Sequence, residues 1–267
     1  MLPLRDSIPS RTFPAVTYGI IAVNVLAFIY QAALDEKAER RLVLEMGLKP
    51  GYVTGYLAGR KGVDTTEERL VGDFFGRIYK VESEKYVRLT FWNTFFPFLS
   101  CMFLHGGLAH VLGNMWFLYI FGDNVEDRLG RLRFLGFYLA TGVLASVAQV
   151  AMMPSSVMPT IGASGAVSGV LGAYLLSFPH ARVLSLVPII IVPLFFEVPA
   201  VLFLGLWFVI QFVSGIGSNP GSSGVAFWAH VGGFVAGMAA VKLIPPRHDG
   251  GSWRNARDVP FEIIDED

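Results

Sequence analysis

A serine lies among glycines in the stretch GASGAVSG, residues 162–169, near the start of an uncharged run. Histidines occur in two other apolar segments, as His110 and His230. A serine hydroxyl becomes a nucleophile when an adjacent base such as histidine removes its proton. Ser164 and His230 therefore have the side chains that acyl transfer requires, if the fold brings them within hydrogen-bond distance.

A second pair of residues could stabilise the negative charge that acyl transfer creates. His110 and Asn114 are four residues apart, so they share one face of a helix. Both side chains can donate hydrogen bonds, as the groups of an oxyanion hole must. A metal site is not indicated, because His105 lies five residues before His110 rather than three or four, and no carboxylate stands at that depth. We therefore expect neither a metal ion nor a cofactor.

Each of these residues also has a structural interpretation. Ser164 could simply allow two helices to approach closely. A histidine within a membrane could belong to a proton relay or bind a substrate, and Asn114 could join two helices. Two soluble motifs do not apply, because position 166 is alanine, which excludes a G-x-S-x-G elbow, and no Gly-Lys-Ser/Thr follows the glycines. The choice depends on where the helices place the residues.

The composition places these residues in a membrane protein. Of the 267 residues, 53% are hydrophobic and 16% are charged, whereas about 25% are charged in a typical soluble domain. The net charge is zero, so no nucleic-acid partner is indicated. The single cysteine, Cys101, excludes an intramolecular disulfide and a thiolate cluster. We expect a polytopic, all-α protein whose helices lie in a lipid bilayer.

Six segments have the apolar character of membrane-spanning helices, for which about 20 residues are needed. The first could be mistaken for a signal peptide, but its length and the lack of a cleavage site indicate a retained helix. Two apolar runs that contain proline are interpreted differently, 91–104 as re-entrant or interfacial and 183–196 as a connection along the membrane surface. The six predicted spans are residues 14–34, 108–125, 134–153, 161–178, 198–215 and 227–243.

The distribution of basic residues sets the orientation of these spans. With both termini in the cytoplasm, the outer loops 154–160 and 216–226 contain no arginine or lysine. The long outer region 35–107 includes the stretch 35–95, whose charges nearly balance and constrain the orientation only weakly. The expected organisation is a cytoplasmic tail at 1–13, a six-helix domain at 14–244 and a flexible cytoplasmic tail at 245–267.

In this orientation the second, fourth and sixth spans run inward from the outer face. His110, Ser164 and His230 lie near the starts of these spans, roughly 5–10 Å below their outer ends at 1.5 Å per residue. Three helices that are distant in sequence therefore place a serine and two histidines at one depth.

Small residues offer a way for two of these helices to meet. Gly165 and Gly169 form a ridge on the fourth span, and Gly233 and Gly237 form one on the sixth. Such ridges let helix backbones approach closely. If the two ridges face each other, the serine hydroxyl and the imidazole come within hydrogen-bond distance.

These residues stand in motifs that resemble those of the rhomboid intramembrane serine proteases. The similar motifs are FLHGGLAHVLGN (103–114), GASG (162–165), AHVGGFVAG (229–237) and EDRLG (126–130). They occur in the family's order and on the expected helices. The resemblance implies a six-helix rhomboid protease domain that cleaves transmembrane segments of other proteins near the outer face, usually after small residues.

The resemblance also implies roles for the candidate residues. Ser164 would be the nucleophile and His230 its general base, in a dyad without an aspartate. His110, Asn114 and the backbone N–H of Ser164 would form the oxyanion hole, which Gly162 would help to shape.

Further elements would admit the substrate and water. The fifth span would be the lateral gate, through Trp207, Phe208 and Phe212. The loop 216–226, rich in glycine and serine, would be a mobile cap past which water enters.

Two positions depart from the family pattern. An aromatic residue one helical turn after the nucleophile stacks on the catalytic histidine in the family, but here that position is Ser168. Ring support for His230 must therefore come from elsewhere or be weaker. Likewise, Trp92-Asn93 stands where the family has Trp-Arg.

Two other functions stay open from the sequence. An inactive rhomboid-like protein could hold or guide membrane clients, although such proteins typically lose the dyad. A transporter would need acidic residues at the midplane or inverted repeats with broken helices, whereas Asp123, Glu126 and Glu197 lie at the ends of spans. Compact size and the lack of a transit peptide favour a bacterial inner (plasma) membrane, with the site open to the outer face. The sequence indicates neither the natural substrate nor the oligomeric state.

Overall fold

The computed structural model describes residues 1–72, 78–189, 192–218 and 225–247, most of them in helices. In chain order the helices are α1 (Ala15–Ala32), α2 (Glu36–Met46), α3 (Pro50–Leu57), α4 (Phe91–Phe95), α5 (Pro97–Ser100), α6 (Leu108–Leu129), α7 (Arg131–Met152), α8 (Ser164–Ser177), α9 (Ala200–Ile216) and α10 (Phe227–Leu243). The strands are β1 (Leu2–Asp6), β2 (Gly62–Gly72), β3 (Ile78–Arg88), β4 (Arg182–Ile189) and β5 (Val192–Pro199).

The fold is mostly helical, and the prediction of an all-α protein is wrong in that two small sheets are present. β1, β4 and β5 form an antiparallel sheet in the order β1-β4-β5, with Leu2 opposite Leu186. Residues 183–189 and 192–196 therefore lie in paired strands, and part of the predicted tail 1–13 is a strand. Pro188 and Pro193 disfavour a helix there, and the β-branched residues of β4 and β5 favour strands.

The long outer region is folded where it is described. Asp35 is the N-cap of α2, because its Oδ1 accepts a hydrogen bond of 2.9 Å from the backbone N–H of Ala38. β2 and β3 form a second antiparallel pair. Leu48 and Thr160 exchange backbone hydrogen bonds of 3.0 and 2.7 Å. This exchange attaches the outer region to the segment that leads into α8.

Helices occur at all six predicted spans, but several are short. Among the described helices, α1 and α7 are long and apolar enough to cross a membrane, and Phe91–Phe103 with α6 would be a third span if this pair, bent by 76°, is counted as one. α8 has 14 residues and α9 and α10 have 17 each. A 14-residue helix rises about 21 Å, against a hydrocarbon core of about 30 Å. The chain is a multi-pass helical membrane protein, and the number of six spans stays a prediction.

Local features fix both ends of α6. Gly107 and Gly130 have φ values of +150° and +80°, so the chain changes direction before and after this helix. Near its end, Glu126 accepts hydrogen bonds from the backbone N–H groups of Val16 and Thr17, at 3.1 and 2.7 Å. These are among the N–H groups that a helix cannot satisfy internally, so Glu126 caps α1.

α8 forms the centre of the bundle and lies against α7 and α10. Ten of its 14 residues are buried, whereas only four of the 17 residues of α9 are buried. Beyond α10, the backbone N–H of Arg247 donates to the carbonyl of Arg128 at 2.8 Å. The predicted flexible tail lies outside the described residues from position 248 onward.

Candidate active site

Ser164 and His230 are in hydrogen-bond contact. The distance from Ser164 Oγ to His230 Nε2 is 2.8 Å. Ser164 is the first residue of α8, and His230 is the fourth residue of α10. This geometry allows the imidazole to take the proton of the hydroxyl.

His110, Ser164 and His230 all lie in the first turns of their helices, and α6 and α10 begin at the predicted residues. The predicted fourth span begins at residue 161, which would place Ser164 roughly 5 Å along its helix. In the structure α8 begins at Ser164, and Gly162 has a φ of +125°. A helix does not continue through such a residue. Gly162 therefore ends the preceding segment, and the half-buried Ser164 stands at the N-terminus of α8.

The glycine ridges bring α8 and α10 into backbone contact. A side-chain carbon added at Gly233 would lie 2.0 Å from the carbonyl oxygen of Gly165, and one at Gly237 would lie 1.9 Å from that of Gly169. Gly172, which lies outside the predicted ridges, makes a third such contact, with Phe234, whose carbonyl oxygen would be 2.1 Å from an added carbon. Only glycine permits this separation between the two helices.

His110 presents an N–H group beside the nucleophile. Its Nδ1 accepts a hydrogen bond of 3.2 Å from the backbone N–H of Gly106. The neutral ring then has its proton on Nε2. A side-chain carbon added at Gly162 would lie 2.7 Å from this Nε2 and 3.5 Å from Ser164 Oγ. The glycine therefore leaves the space in which the His110 N–H and the hydroxyl approach each other.

Asn114 supplies a second donor to the same space. Its side chain is 7% exposed, and its Nδ2 has no hydrogen-bond partner among the described residues. An unpaired buried donor costs free energy, so its retention fits a role in binding. The backbone N–H of Ser164 adds a third donor, because the first N–H groups of a helix have no partner within it.

A cavity of about 310 Å³ joins these groups. Its polar lining residues are His110, Asn114, Ser164, Ser168, Gln211 and His230. Its apolar lining includes Phe117, Val167, Leu171 and Trp207. The cavity therefore places the hydroxyl, the imidazole and the oxyanion donors around one space.

Ser168 does not replace the missing aromatic ring. It is buried, and its Oγ donates to the carbonyl oxygen of Ser164 at 2.6 Å. The ring beside the histidine instead comes from α9, where the centroid of Trp207 lies 6.0 Å from that of His230 with the planes at 33°. Phe227 approaches the same imidazole edge-on, with centroids 6.5 Å apart.

Gln211 stands outside the predicted site residues. The Oε1 of Gln211 lies 2.7 Å from His230 Nδ1, on the side of the ring opposite Ser164. A polar residue within the apolar α9 was the available signal, because such residues are costly in a membrane and mark functional sites. A second glutamine, Gln149 on α7, accepts a hydrogen bond of 3.1 Å from the backbone N–H of Ala229.

The three predicted gate residues all lie against α10. Phe208 packs on Phe234 with ring centroids 4.9 Å apart, and Phe212 packs edge-on against Trp228 at 5.9 Å. Trp207 lies beside the ring of His230. Most of the predicted cap loop, residues 219–224, lies outside the described residues.

His105 is a structural residue in this arrangement. It is fully buried, its carbonyl accepts from Gln31 Nε2 at 2.7 Å, and its N–H donates to Gln31 Oε1 at 3.1 Å. Its ring lies edge-on to that of His110, with centroids 5.2 Å apart. Within the described part of the chain, no group of three or more His, Cys, Asp or Glu side chains could hold a metal ion.

Comparison with known families gives one match. The family model described as the Rhomboid domain matches residues 91–247, which is more than half of the chain. The matched region begins at α4 and contains every residue of the site described above.

Individual relatives come from plants, animals and bacteria. The chain is 34% identical over 165 residues to RHOMBOID-like protein 4 of Arabidopsis thaliana, a match that covers 61% of the chain and 37% of the relative. It is 43% identical over 77 residues to Rhomboid protease GluP of Bacillus subtilis, covering 29% and 15%. It is 34% identical over 101 residues to the human Presenilin-associated rhomboid-like protein, mitochondrial, covering 37% and 26%. The chain thus spans less than half the length of each of these relatives.

Proposed function

The chain belongs to the rhomboid family, and from this premise we propose that it is an active intramembrane serine endopeptidase. The observation that carries the proposal is the 2.8 Å distance between Ser164 Oγ and His230 Nε2 at the edge of a cavity. A serine that serves only helix packing needs no base beside it. Contact between a serine and a histidine 66 residues apart is what nucleophile activation requires.

In the acylation step, Ser164 Oγ attacks the scissile carbonyl carbon while His230 Nε2 takes the hydroxyl proton. The carbonyl oxygen becomes an oxyanion, which accepts hydrogen bonds from His110 Nε2, Asn114 Nδ2 and the backbone N–H of Ser164. When the tetrahedral intermediate collapses, the C–N bond breaks and the imidazolium gives its proton to the leaving amine. The products are an ester on Ser164 and a fragment with a free amino group.

In the hydrolysis step, water takes the place of the leaving amine. His230 removes a proton from the water, whose oxygen bonds to the ester carbon, and the same three donors hold the second oxyanion. The bond from carbon to Ser164 Oγ then breaks, and the proton returns from the imidazole to the hydroxyl. Acid and base functions thus come from one residue, and no metal or cofactor takes part in the proposal.

The proposed substrates are transmembrane segments of other proteins, cut near the outer face. The proposal includes six spans, cytoplasmic termini and a site open to the outer face of the plasma membrane, the inner membrane of a bacterium. It is supported by the position of Ser164, His110 and His230 in the first turns of three helices. Trp207, Phe208 and Phe212 on α9 are the proposed lateral gate, and loop 216–226 is the proposed cap.

Labelling with a fluorophosphonate probe tests the nucleophile directly. We expect the wild type to be labelled and to cleave a model transmembrane substrate. Ser164→Ala and His230→Ala should lose both activities while their thermal unfolding stays close to that of the wild type. Ser177→Ala is a matched control, because Ser177 stands in the same helix and its Oγ donates to Ala173 at 2.7 Å, away from the dyad.

Two outcomes would overturn the proposal. Labelling that persists in Ser164→Ala would exclude this residue as the nucleophile. A wild type that binds and co-purifies with uncut membrane clients, and is neither labelled nor able to form product, would instead show an inactive client-binding protein.

A further inference from the structure

One helix, α9, contacts the imidazole of His230 at two places. Gln211 lies at its Nδ1 and Trp207 lies beside its ring. We propose that Gln211 is a positioning residue that fixes the tautomer and orientation of His230, so that α9 controls the state of the catalytic base. The inference rests on the proposed function, since it concerns the base of that reaction.

The chemistry of the base requires one tautomer. To take the proton of Ser164, the Nε2 of His230 must carry a lone pair, so in the neutral ring the proton must be on Nδ1. That N–H needs an acceptor, because a buried donor without a partner costs free energy. Gln211 Oε1, at 2.7 Å, is the partner of Nδ1 among the described residues.

The amide of Gln211 must therefore present its oxygen. If the amide were reversed, its NH₂ group would donate to Nδ1, and the ring proton would move to Nε2. His230 would then donate to Ser164 Oγ and could not accept its proton. The orientation with Oε1 toward the ring selects the reactive tautomer, as the buried carboxylate does in a three-residue catalytic triad, but without a charge.

Gln211 and Trp207 act from the same surface of α9. They are four residues apart, so they lie on one face of the helix, one turn from each other. Ser164 and His230 stand on α8 and α10, whose backbones are in contact through glycines. The nucleophile therefore keeps its distance from the base, while the hydrogen bond and the ring contact that orient the base both depend on α9.

A consequence concerns the proposed gate. Because α9 has few buried residues, its displacement by an entering substrate would withdraw Gln211 and Trp207 together. The base is then oriented for reaction only when α9 lies against α10. Cleavage in this arrangement needs the helix to return after the substrate has entered.

The test combines kinetics with a spectroscopic reading of the tautomer. Gln211→Met keeps the length of the side chain and removes the acceptor, whereas Gln211→Glu keeps an acceptor. Gln149→Met is the matched control, since it removes the other glutamine beside α10, which contacts the backbone of Ala229 instead of the imidazole. In each variant, the ¹⁵N spectrum of labelled histidine is recorded, and the signal of His230 among the five histidines is assigned by its loss in His230→Ala.

We expect Gln211→Met to lower kcat by about 10- to 1000-fold with KM unchanged, because a wrong tautomer removes the base without removing substrate contacts. Its ¹⁵N spectrum should show the Nδ1–H form replaced in part by Nε2–H. Gln211→Glu should retain the Nδ1–H form and restore most of the turnover. Gln149→Met should leave the tautomer and kcat close to wild type, whatever its effect on thermal stability.

Either of two results would overturn the inference. One is an unchanged Nδ1–H signal in Gln211→Met, and the other is a loss of kcat in Gln149→Met as large as that in Gln211→Met. Failure of the proposed function would give a different result, because the wild type would then be neither labelled nor active. In that case the ¹⁵N spectra would still report whether Gln211 sets the tautomer of His230.

Discussion

α10 meets its two neighbours in different ways. Against α8 it presents glycines, and an added carbon at Gly237 would come within 1.9 Å of the backbone of Gly169. Against α9 it presents rings, with Phe234 and Trp228 facing Trp207, Phe208 and Phe212. Backbones in contact have one fixed separation, whereas aromatic rings can change rotamer and repack.

The difference separates two requirements of the proposed reaction. Proton transfer needs a constant short distance, and the glycine interface provides it between Ser164 and His230. Admission of a substrate helix needs an interface that can open, and the ring interface of α9 provides that. The base lies between the two interfaces, because Ser164 contacts its Nε2 and Gln211 contacts its Nδ1.

The largest effect should follow from a change in the glycine interface. Gly237→Ala adds a carbon that must push α10 away from α8, so we expect a loss of stability of about 3 kcal/mol or more, at the upper end for overpacking. Activity should fall to background, because Ser164 and His230 separate. Thermal unfolding and probe labelling measure the two effects.

The control for this change stands on the other helix. Gly205 of α9 has nothing within 4 Å of an added carbon. Gly205→Ala should be neutral or should stabilise by about 0.5–1 kcal/mol, because alanine favours the helix. Equal melting temperatures for Gly237→Ala and the wild type would contradict the description of the α8–α10 interface as fixed.

A second prediction concerns Asn114 of α6, which supplies an oxyanion donor to the site. Asn114→Ala should lower kcat by about 10²- to 10³-fold, the usual cost of losing one oxyanion donor. Stability should be unchanged or slightly higher, because the lost Nδ2 has no partner among the described residues. Kinetics and thermal unfolding of the same preparation measure the changes in kcat and in stability. A parallel loss of stability and activity would contradict a role in catalysis.

The third prediction tests the ring interface. Phe212→Ala removes the edge-on contact with Trp228, and such pairs stabilise by about 0.5–1.5 kcal/mol. We expect a small fall in melting temperature and a severalfold faster cleavage of a transmembrane substrate, which must enter past α9. The rate of labelling by the small fluorophosphonate, which needs no lateral entry, should stay the same. Equal effects on both rates would argue against α9 as the gate.

The sequence predicts most of the α8–α10 interface but less of the α9–α10 interface. Helical spacing and small-residue ridges placed Gly165, Gly169, Gly233 and Gly237, and those contacts follow from local periodicity. The absence of a ring at Ser168 does not predict which residue packs beside His230. That ring comes from α9, and whether it faces His230 depends on the rotation of α9 about its axis. Gln211 was missed for the same reason.

The β1-β4-β5 sheet is not predicted from the sequence, for a different reason. The pairing of Leu2 with Leu186 joins residues far apart in sequence, and neither strand alone carries a strong signal. The run 183–196 is apolar except for Ser185, so it lacks the alternation that distinguishes a half-buried strand from a short apolar helix. Its two prolines exclude a regular helix but do not identify a strand partner.

The C-terminal end of α8 contacts β1. The contribution of this contact to the free energy of unfolding should depend on pH. Asp6 of β1 accepts hydrogen bonds from Tyr174 OH and, at 3.1 Å, from Asn124 Nδ2. Burial, and to a lesser extent the charge of Asp123, raises the pKa of Asp6 from 3.8 to about 7, although the bond from Tyr174 acts in the opposite direction.

The sign of the effect follows from this raised pKa. The folded protein binds the Asp6 proton more tightly than the unfolded chain does. The contribution of Asp6 to the free energy of unfolding is therefore fully present below pH 3.8 and is lost as the pH rises through about 7. Asp6→Asn keeps a neutral acceptor for Tyr174 at every pH. Between pH 5 and pH 8 the melting temperature of the wild type should therefore fall by a few degrees more than that of Asp6→Asn. Parallel curves would mean that the ionisation of Asp6 does not affect how β1 holds α8.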